Sequence, residues 1–333
     1  MAVILVTMSE ETYGTVIGPD AREKLRKLGE VQVELRANEL TEAQYASLWK
    51  GADYVLTGWG VRPPKAEWFE NPIRVRAVCH AAGSVRMIPR EVIERGVIVT
   101  SARAAIARTV AEFSLTCVLS LLRHLPVYDA KTADAMLGLG CDRRPRTRTL
   151  FGKTVALIGL GHVGRQFREM LRPFGARVLA VDPALQDEAA KQLEVEKVTL
   201  QEALAQADVV SLHAPDIPAT RGMIGPGELS LLRDGAVLVN TARGRLIETD
   251  ALTECCASGR IYAALDVTDP EPLPTNHPLR GMPNVLVTPH VAGPTTDELP
   301  RLGDMAVTDL ERVVSGWCPL YPIDLAGYDA MSF

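Results

Sequence analysis

Residues 153–182 read KTVALIGLGHVGRQFREMLRPFGARVLAVD and organise the rest of the chain. An apolar run typical of a buried strand leads into Gly159, Gly161 and Gly164, and a stretch with helical periodicity follows. A second apolar strand then ends on Asp182. The G-x-G-x-x-G spacing alone is weak evidence, but here a strand precedes it, a helix follows it and an acidic residue closes the next strand. The stretch therefore predicts a βαβ unit that binds a dinucleotide.

Each residue of this motif has a distinct physical role. Gly159 permits a tight turn, Gly161 lets the backbone approach a pyrophosphate, and Gly164 lets the helix pack closely on the sheet. The pyrophosphate would lie against the free N–H groups at the helix N-terminus. Asp182 would accept hydrogen bonds from the adenosine ribose and repel a 2′-phosphate, and residues 183–185 contain no Arg or Lys to bind one. The predicted cofactor is therefore NAD, against the alternative of a glycine-rich turn that binds nothing.

Composition limits the class of protein. The chain has 333 residues, enough for two domains, with 47% hydrophobic and 23% charged residues, as in a soluble globular protein. The net charge of −5 and the lack of a dominant basic stripe argue against a nucleic-acid partner. We also expect no signal peptide and no membrane span, because the apolar runs are too short. Six cysteines without C-x-x-C or metal-ligand spacing predict reduced thiols, a cytoplasmic location and no metal site.

The first hundred residues alternate short apolar runs with segments of helical period, which predicts a parallel α/β domain of five strands. No glycine fingerprint follows its first strand, so we do not expect the dinucleotide to bind there. Two of its loops, residues 57–60 and 81–86, follow strand ends, where ligands bind in open α/β sheets. Their other interpretation is ordinary turn glycine. From residue 153 onward, six further strands are predicted, the number of a full Rossmann sheet.

A long helix over residues 107–125 is apolar almost all round. Such a helix must be buried, either inside one domain or across a subunit interface. This pattern is the basis for expecting a homodimer. After residue 288 only one further helical segment, residues 300–314, and a proline-rich tail are expected.

Three polar groups follow successive strands of the predicted Rossmann sheet. Arg243 follows the strand at 237–239, Glu271 the strand at 263–267, and His290 the strand at 285–287. The carboxyl ends of neighbouring parallel strands meet at one sheet edge, so we expect these side chains to lie close together. A cation, a carboxylate and an imidazole are what hydride reduction of a 2-oxo acid requires. Taken singly, each could equally be a surface residue.

Together with the fingerprint, the motifs SLHAP (211–215), NTARGRLIE (240–248), ALDVTDPEP (264–272) and TPHVAG (288–293) resemble the D-isomer-specific 2-hydroxyacid dehydrogenases. Val110-Ala111-Glu112 matches that family's buried helix. The resemblance covers nearly the whole chain and implies transfer of a hydride between NAD(H) and a small 2-hydroxy or 2-oxo carboxylate, as in hydroxypyruvate and glyoxylate reductases. L-lactate-type dehydrogenases match less well, because their fingerprint opens the chain.

The resemblance also implies an architecture. It is α/β, with two doubly wound parallel-sheet domains, one Rossmann-like and one flavodoxin-like, and a cleft between them. Residues 1–102 and 294–333 would form a discontinuous substrate-binding domain, and residues 103–293 the NAD-binding domain.

The resemblance further implies site residues. Arg243 resembles the substrate-binding arginine, His290 the acid/base and Glu271 its carboxylate partner, whereas Asp266 would hydrogen-bond the nicotinamide carboxamide. The substrate carboxylate would meet backbone N–H groups of Ala82, Gly83, Ser84 and Val85, beside Arg243 and His290. The residues expected to contact the cofactor are Gly159, Leu160, Gly161, His162, Val163, Gly164, Asp182, His213, Ala214, Pro215, Thr220, Thr241, Ala242, Asp266 and Gly293.

The substrate loop departs from the family pattern. Where the family has the form G-x-G-V-D, this chain has Gly83 preceded by Ala82 and followed by Ser84, Val85 and Arg86. Ser84 replaces a glycine and Arg86 an acidic residue, so the choice of carboxylate is left open. Arg86 could meet an additional anionic group of the substrate, but we expect it to point to solvent.

Two other functions stay open on the sequence. Relatives with the same fold serve as NAD(H)-sensing corepressors and keep the Arg, Glu and His set. The second alternative is oxidation of a small inorganic or one-carbon anion such as phosphite or formate. The particular 2-hydroxy acid and the physiological direction are not determined by these motifs.

Overall fold

The computed structural model describes residues 1–70, 72–126 and 147–332. The chain divides into two compact units: Met1–Ile106 with Pro294–Phe333, and Ala107–Gly293. Each unit contains one sheet in which all the strands are parallel. The prediction of an α/β protein with two parallel-sheet domains is therefore confirmed.

The strands are Val3–Thr7 (β1), Glu30–Glu34 (β2), Tyr54–Thr57 (β3), Ala77–His80 (β4), Ile98–Ser101 (β5), Thr154–Ile158 (β6), Arg177–Val181 (β7), Glu196–Lys197 (β8), Val209–Leu212 (β9), Val237–Asn240 (β10), Tyr262–Leu265 (β11) and Val285–Val287 (β12). The helices are Glu10–Val16 (α1), Pro19–Leu28 (α2), Glu42–Gly51 (α3), Arg90–Glu94 (α4), Arg103–Leu122 (α5), His162–Leu171 (α6), Asp187–Gln192 (α7), Leu200–Gln206 (α8), Pro226–Leu231 (α9), Thr249–Ala257 (α10), Leu299–Val314 (α11) and Leu325–Asp329 (α12). Short 3-10 turns occupy Ala37–Glu39, Ala66–Phe69, Arg172–Phe174, Gly244–Leu246 and Pro278–Gly281.

The sheet of the first unit has the strand order β2-β1-β3-β4-β5. This is the flavodoxin-like order, in which successive strands are added on one side of β1 and then, from β3 onward, on its other side. Strands β3 and β4 are buried along their whole length, as the continuous apolar runs predict for a parallel sheet covered on both faces. Helix α1 was not predicted, because it is short and polar; Ser9 caps it by accepting a hydrogen bond from the backbone of Thr12.

The chain returns to the first unit after Gly293. Helix α11 packs against α1, α2 and β4. Gly303 on this helix allows the close approach, because a Cβ there would overlap the carbonyl oxygen of Val16. The returning segment is thus part of the core of this unit rather than a loose tail.

The sheet of the second unit has seven strands in the order β12-β11-β10-β9-β6-β7-β8. The prediction of six strands was one too few. The missed strand, β8, has only two residues, Glu196 and Lys197, both exposed at the sheet edge, so no apolar period marks it. The strands predicted at 237–239, 263–267 and 285–287 correspond to β10, β11 and β12.

Helix α5 has the length and composition of a membrane span, the only such helix in the described ranges, but half of it is buried inside the structure. Ala111, Val118 and Leu122 are fully buried in the core of the second unit. The residues exposed along its central turns are polar, including Glu112 and Thr116. Packing within this unit therefore accounts for part of the apolar composition of α5.

Of the five cysteines within the described ranges, none forms a disulfide. Cys79, Cys117 and Cys256 are buried, and burial raises the pKa of each thiol to about 12. These three cysteines are residues of the hydrophobic cores. Cys141 lies outside the described residues.

Candidate functional site

The glycine turn after β6 has the geometry that its sequence predicts. Gly159 has φ +98°, and a Cβ there would lie 2.7 Å from the backbone nitrogen of Ala214. A Cβ on Gly164 would overlap the carbonyl oxygen of Gly159, so this glycine lets α6 approach the strand. Gly161 caps α6, and a Cβ there would face open space. The N-terminus of a ten-residue helix is thus open to an anion at this point.

This turn lies at the point where the sheet order reverses, between β6 and β9. The backbone N–H of His213 donates to the carbonyl of Ile158, 2.7 Å away. The His213 ring packs against Phe167 with the ring centroids 5.3 Å apart, and both ring nitrogens are buried without a hydrogen-bond partner among the described residues. Burial lowers the pKa of His213 to about 3, so the imidazole is neutral at physiological pH. Ala214 is buried beside it.

Asp182 directly follows β7, next to the glycine turn. Its carboxylate accepts hydrogen bonds from the backbone nitrogens of Leu160 at 2.7 Å and Ala184 at 2.8 Å. The side chain is half-buried and keeps lone pairs on both oxygens. Asp182 thus ties the end of β7 to the fingerprint, a role that the sequence did not suggest. His162 and Val163 follow at the start of α6, with His162 exposed.

The loop after β9 is closed by a threonine. The Thr220 hydroxyl donates to the carbonyl of Pro215 at 2.5 Å and accepts from the backbone nitrogen of Ile217 at 3.1 Å. Thr220 was predicted as a cofactor contact. In the structure its hydroxyl shapes the loop that carries His213 and Ala214.

Arg243 stands on a turn that Asn240 holds together. The Asn240 side chain accepts from the Ala242 nitrogen at 3.1 Å and donates to the Arg243 carbonyl at 2.9 Å. Asn240 is buried, and it was not predicted as a site residue; its place at the end of a strand is the signal, because Asn side chains commonly bond nearby backbone in turns. Thr241 is also buried, and its hydroxyl lies 2.8 Å from that of Ser114 on α5.

The Arg243 guanidinium is half-buried and donates to the carbonyl of Ala242 at 2.7 Å. Burial lowers its pKa, whereas the charges of Asp216 and Glu271 act in the opposite direction. An arginine remains protonated under such conditions. The structure therefore presents a cation at the carboxyl end of β10, near two carboxylates.

The loops after β10 and β11 touch through Gly244. A Cβ on Gly244 would overlap the carbonyl group of Thr268, and Thr249 donates a hydrogen bond to the carbonyl of Asp269 at 2.6 Å. The segment that leads to Glu271 is therefore packed directly against the segment that follows Arg243.

Glu271 and His290 form a direct pair. The His290 Nδ1 atom lies 2.5 Å from Oε1 of Glu271, and the two side chains are 48% and 42% exposed, with His290 the more exposed. Glu271 Oε2 also accepts from the backbone nitrogen of Thr268 at 3.4 Å. Because Nδ1 faces the carboxylate, Nε2 is the ring nitrogen left to face another molecule. The predicted proximity of these two side chains is present in the structure.

Asp266 organises the turn that carries His290. Its carboxylate accepts from the hydroxyl of Thr288 at 2.7 Å, from Val291 nitrogen at 2.8 Å and from Ala292 nitrogen at 2.9 Å. Its carbonyl accepts from His290 nitrogen at 2.9 Å. The buried Asp266 is therefore a positioning residue for His290, beyond its predicted role toward the carboxamide. Gly293 follows this turn, and a Cβ there would meet nothing within 4 Å.

The candidate substrate loop in the first unit follows β4. Ser101 holds its carbonyls, donating to Ala82 oxygen at 3.1 Å and to Gly83 oxygen at 2.5 Å. The backbone N–H groups of Gly83, Ser84 and Val85 donate to no acceptor within the described residues. Such free donors suit a carboxylate.

The two residues that depart from the family pattern bind another part of the same unit. Ser84 donates to the carbonyl of Ser332 at 2.9 Å. Arg86 donates to the carbonyls of Met331 at 3.1 Å and Asp329 at 3.0 Å. The expectation that Arg86 points to solvent was wrong, because its guanidinium satisfies carbonyls near the end of the chain. These carbonyls lie far away in the sequence and gave no local signal.

A parallel sheet with a glycine turn at its switch point and an open helix N-terminus is characteristic of a dinucleotide-binding domain. Residues 115–292 match the family model of the D-isomer specific 2-hydroxyacid dehydrogenase, NAD binding domain. The chain belongs to this family, and its cofactor is NAD. The open space at Gly161, at the N-terminus of α6, leaves room for such a group.

Several relatives have related names. D-3-phosphoglycerate dehydrogenase of Methanocaldococcus jannaschii is 33% identical over 89% of this chain and 56% of its own length. Glyoxylate reductase of Aeropyrum pernix is 32% identical over 74% of this chain and 75% of its own length. The crystal structure of a Thermus thermophilus protein is 30% identical, with a TM-score of 0.75, and covers 96% of this chain and 99% of that chain. This chain thus spans little more than half of the phosphoglycerate dehydrogenase.

Proposed function

We propose that this chain reduces a small 2-oxo acid with NADH, or oxidises the corresponding D-2-hydroxy acid with NAD, and that Arg243, Glu271 and His290 carry the chemistry. The observation that supports this most strongly is the 2.5 Å contact between His290 Nδ1 and Glu271 Oε1, on a loop packed against the one that follows Arg243. A carboxylate-paired imidazole next to a half-buried guanidinium is suited to reducing a carbonyl beside a carboxylate.

The roles follow from the charges. Arg243 binds the substrate carboxylate and polarises its carbonyl. Glu271 orients His290 and stabilises the imidazolium, so that Nε2 donates the proton to the carbonyl oxygen. Bound NADH supplies the hydride. In the oxidative direction the same imidazole, neutral at the start, accepts the hydroxyl proton.

The cofactor contacts are part of the proposal. The N–H groups around Gly161, His162 and Val163 would bind the pyrophosphate, and Asp182 the adenosine ribose. The remaining proposed contacts are Gly159, Leu160, Gly164, His213, Ala214, Pro215, Thr220, Thr241, Ala242, Asp266 and Gly293. Residues 103–293 would serve as the NAD-binding domain, and residues 1–102 with 294–333 as the substrate-binding domain.

The substrate proposed is a small 2-oxo acid such as glyoxylate or hydroxypyruvate. Its carboxylate would accept hydrogen bonds from the free backbone N–H groups of the loop formed by Ala82, Gly83, Ser84 and Val85. Glyoxylate reductases are among the relatives, which supports a compact substrate. Arg86 is engaged with backbone carbonyls, which disfavours its use for an additional anionic group.

The test is the initial rate of NADH oxidation over a panel of 2-oxo acids graded by side chain: glyoxylate, hydroxypyruvate, pyruvate, and branched and aromatic oxo acids. We expect turnover with the small members. Tight NADH binding with no turnover of any member would contradict the proposal. That result would favour the sensor function, and a rate with phosphite or formate would favour the small-anion function; none of the relatives named above carries either description.

We further propose a cytoplasmic homodimer without a nucleic-acid partner. The partly exposed apolar side chains of Phe113, Leu115 and Leu119 on α5 support self-association, and the net charge of −5 disfavours nucleic acid. Sedimentation at micromolar concentration should give a species of twice the chain mass. A monomer under these conditions would contradict the dimer.

A further inference from the structure

A row of alternate residues after β4 contacts the segment of residues 325–332, which we call the terminal segment. Ser84 and Arg86 donate to three of its backbone carbonyls. The carbonyl of Ile88 accepts from the Tyr328 hydroxyl at 2.8 Å. Arg90 forms two hydrogen bonds with the carboxylate of Asp329, at 3.1 and 3.2 Å.

The contact between Arg86 and the terminal segment combines two interactions. In addition to its two carbonyl acceptors, the guanidinium lies over the Tyr328 ring, 4.7 Å from the centroid. Arginine is suited to this arrangement, because its planar fork donates in fixed directions while its face stacks on an aromatic ring. An aspartate at this position, as in the family pattern, could make neither interaction.

The terminal segment is itself fixed to the body of the unit. The buried Asp309 accepts from the backbone nitrogens of Leu320 at 2.6 Å and Tyr321 at 3.1 Å. The chain then runs along β5, with Ile323 nitrogen donating to Val99 oxygen at 2.8 Å. The terminal segment therefore reaches Ser84 and Arg86 as an anchored element.

The substrate loop is thus held on two sides. Ser101 binds the carbonyls of Ala82 and Gly83, and the terminal segment binds the side chains of Ser84 and Arg86. Between these attachments, the backbone N–H groups of Gly83, Ser84 and Val85 have no acceptor in the part of the chain that the structure describes. Small displacements of such donors weaken binding steeply, because hydrogen bonds depend on distance and direction.

We propose that the terminal segment is a positioning element for the substrate loop, and that Ser84 and Arg86 couple the two and so set the affinity for the 2-oxo acid carboxylate. The inference rests on the proposed function of the loop. It also accounts for both departures from the family pattern together, since one surface receives both side chains.

The experiment compares Arg86→Ala, Ser84→Gly and the double variant with Arg62→Ala. Arg62 is a matched control: it lies in the same unit, donates to the carbonyls of Ala37 and Leu40, and lies 5.5 Å from the centroid of the Tyr45 ring. Its loss removes the same kinds of interaction away from the substrate loop.

In the double variant we expect KM for the fastest 2-oxo acid of the panel to rise about tenfold, equivalent to ~1.4 kcal/mol. The Kd for NADH, measured by nucleotide fluorescence, and kcat should each change less than about twofold, well below the tenfold rise in KM. Arg62→Ala should leave KM unchanged even if it lowers the melting temperature. Arg86→Lys should recover part of the affinity, because one carbonyl can still be bonded.

An unchanged KM in the double variant, with a loss of stability equal to that of Arg62→Ala, would overturn the inference. Hydrogen exchange of the backbone N–H groups of Ile88 and Ala102, which donate to the loop carbonyls of Val85 and Ala82, gives a second readout that needs no turnover. Faster exchange in Arg86→Ala but not in Arg62→Ala supports the coupling. If the wild type reduces no 2-oxo acid, the proposed function fails, and exchange alone decides whether the terminal segment positions the loop.

Discussion

His290 adopts a backbone conformation that is unfavourable for a residue with a side chain. Its φ is +56°, in the left-handed region, which for a non-glycine residue carries a cost of about 1 kcal/mol or more. Asp266 offsets this cost by accepting hydrogen bonds from the backbone of His290 and of the two residues after it. In this conformation the His290 imidazole contacts Glu271.

Replacing His290 by alanine should lower kcat for 2-oxo acid reduction by about 10²- to 10⁴-fold, the usual contribution of a positioned proton donor. NADH binding should change little, and the two can be separated by nucleotide fluorescence and stopped-flow absorbance. Glu271→Gln should give a smaller loss, because the imidazole keeps a neutral hydrogen-bond partner. Full activity of His290→Ala would refute the proposed role.

Asp182 is the proposed contact for the adenosine ribose, the part of the cofactor at which NAD and NADP differ. Asp182→Asn keeps an acceptor for the Leu160 nitrogen but removes the charge that repels a 2′-phosphate. We expect the ratio of kcat/KM for NADPH to that for NADH to rise by about tenfold or more, since a charged hydrogen bond contributes ~1.5–3 kcal/mol. Asp187→Asn, an 88% exposed acidic side chain on α7, is the control. Equal ratios in both variants would contradict the assignment.

At the scale of elements, the site is built from the loops that follow β10, β11 and β12. Asn240 and Asp266 form hydrogen bonds with backbone groups of these loops, and Gly244 packs against backbone. Arg243, Glu271 and His290 are thus held from the rigid ends of adjacent strands. A site built on strand ends keeps its geometry better than one built on a long free loop.

Gly244→Ala tests whether the loops after β10 and β11 must touch. The added methyl group would overlap the Thr268 carbonyl, so we expect a loss of about 1–3 kcal/mol of stability and a marked fall in kcat. Gly227→Ala is the matched control in α9, where a Cβ meets nothing within 4 Å; it should stabilise slightly, by roughly 0.5–1 kcal/mol. The measurements are thermal melting and NADH oxidation. A Gly244→Ala enzyme indistinguishable from wild type would show that this packing is dispensable.

At the scale of the whole molecule, each unit buries a neutral histidine at the carboxyl end of a strand. His80 lies 2.9 Å from the Thr57 hydroxyl in the first unit, and His213 packs on Phe167 in the second. Burial lowers the pKa of both to about 3, below the ordinary value of 6.5. Between these two pKa values the unfolded chain binds more protons than the native chain. The contribution of each neutral histidine to the free energy of unfolding is therefore complete above pH 6.5 and is lost as the pH falls toward 3.

Lowering the pH from about 7.5 to about 5.5 should therefore reduce the free energy of unfolding by about 1 kcal/mol for each of these histidines. His80→Gln and His213→Gln should each shrink the difference between melting temperatures at the two pH values, whatever their effect on stability at the higher pH. His162→Gln, at an exposed position, is the control. Equal pH dependence in all variants would show that other groups dominate the acid response.

The two-sheet architecture, the glycine turn and the three strand ends with polar groups can be predicted from the local sequence. These features depend on periodicity, on glycine and on residue types within a few positions, and parallel sheets bring strand ends together by rule. The two-residue strand β8 and the polar helix α1 escaped because neither has an apolar period.

The sequence by itself determined that this chain folds into two parallel-sheet units, binds NAD and belongs to a dehydrogenase family. Only the tertiary structure decided which side chains position the proposed site residues. Ser84 meets an acceptor 248 positions away, Arg86 one 245 positions away, and Asp266 bonds a turn 25 positions further on. The physical reason is that side-chain hydrogen bonds need only closeness in space, which the packing of the elements creates and no local pattern records.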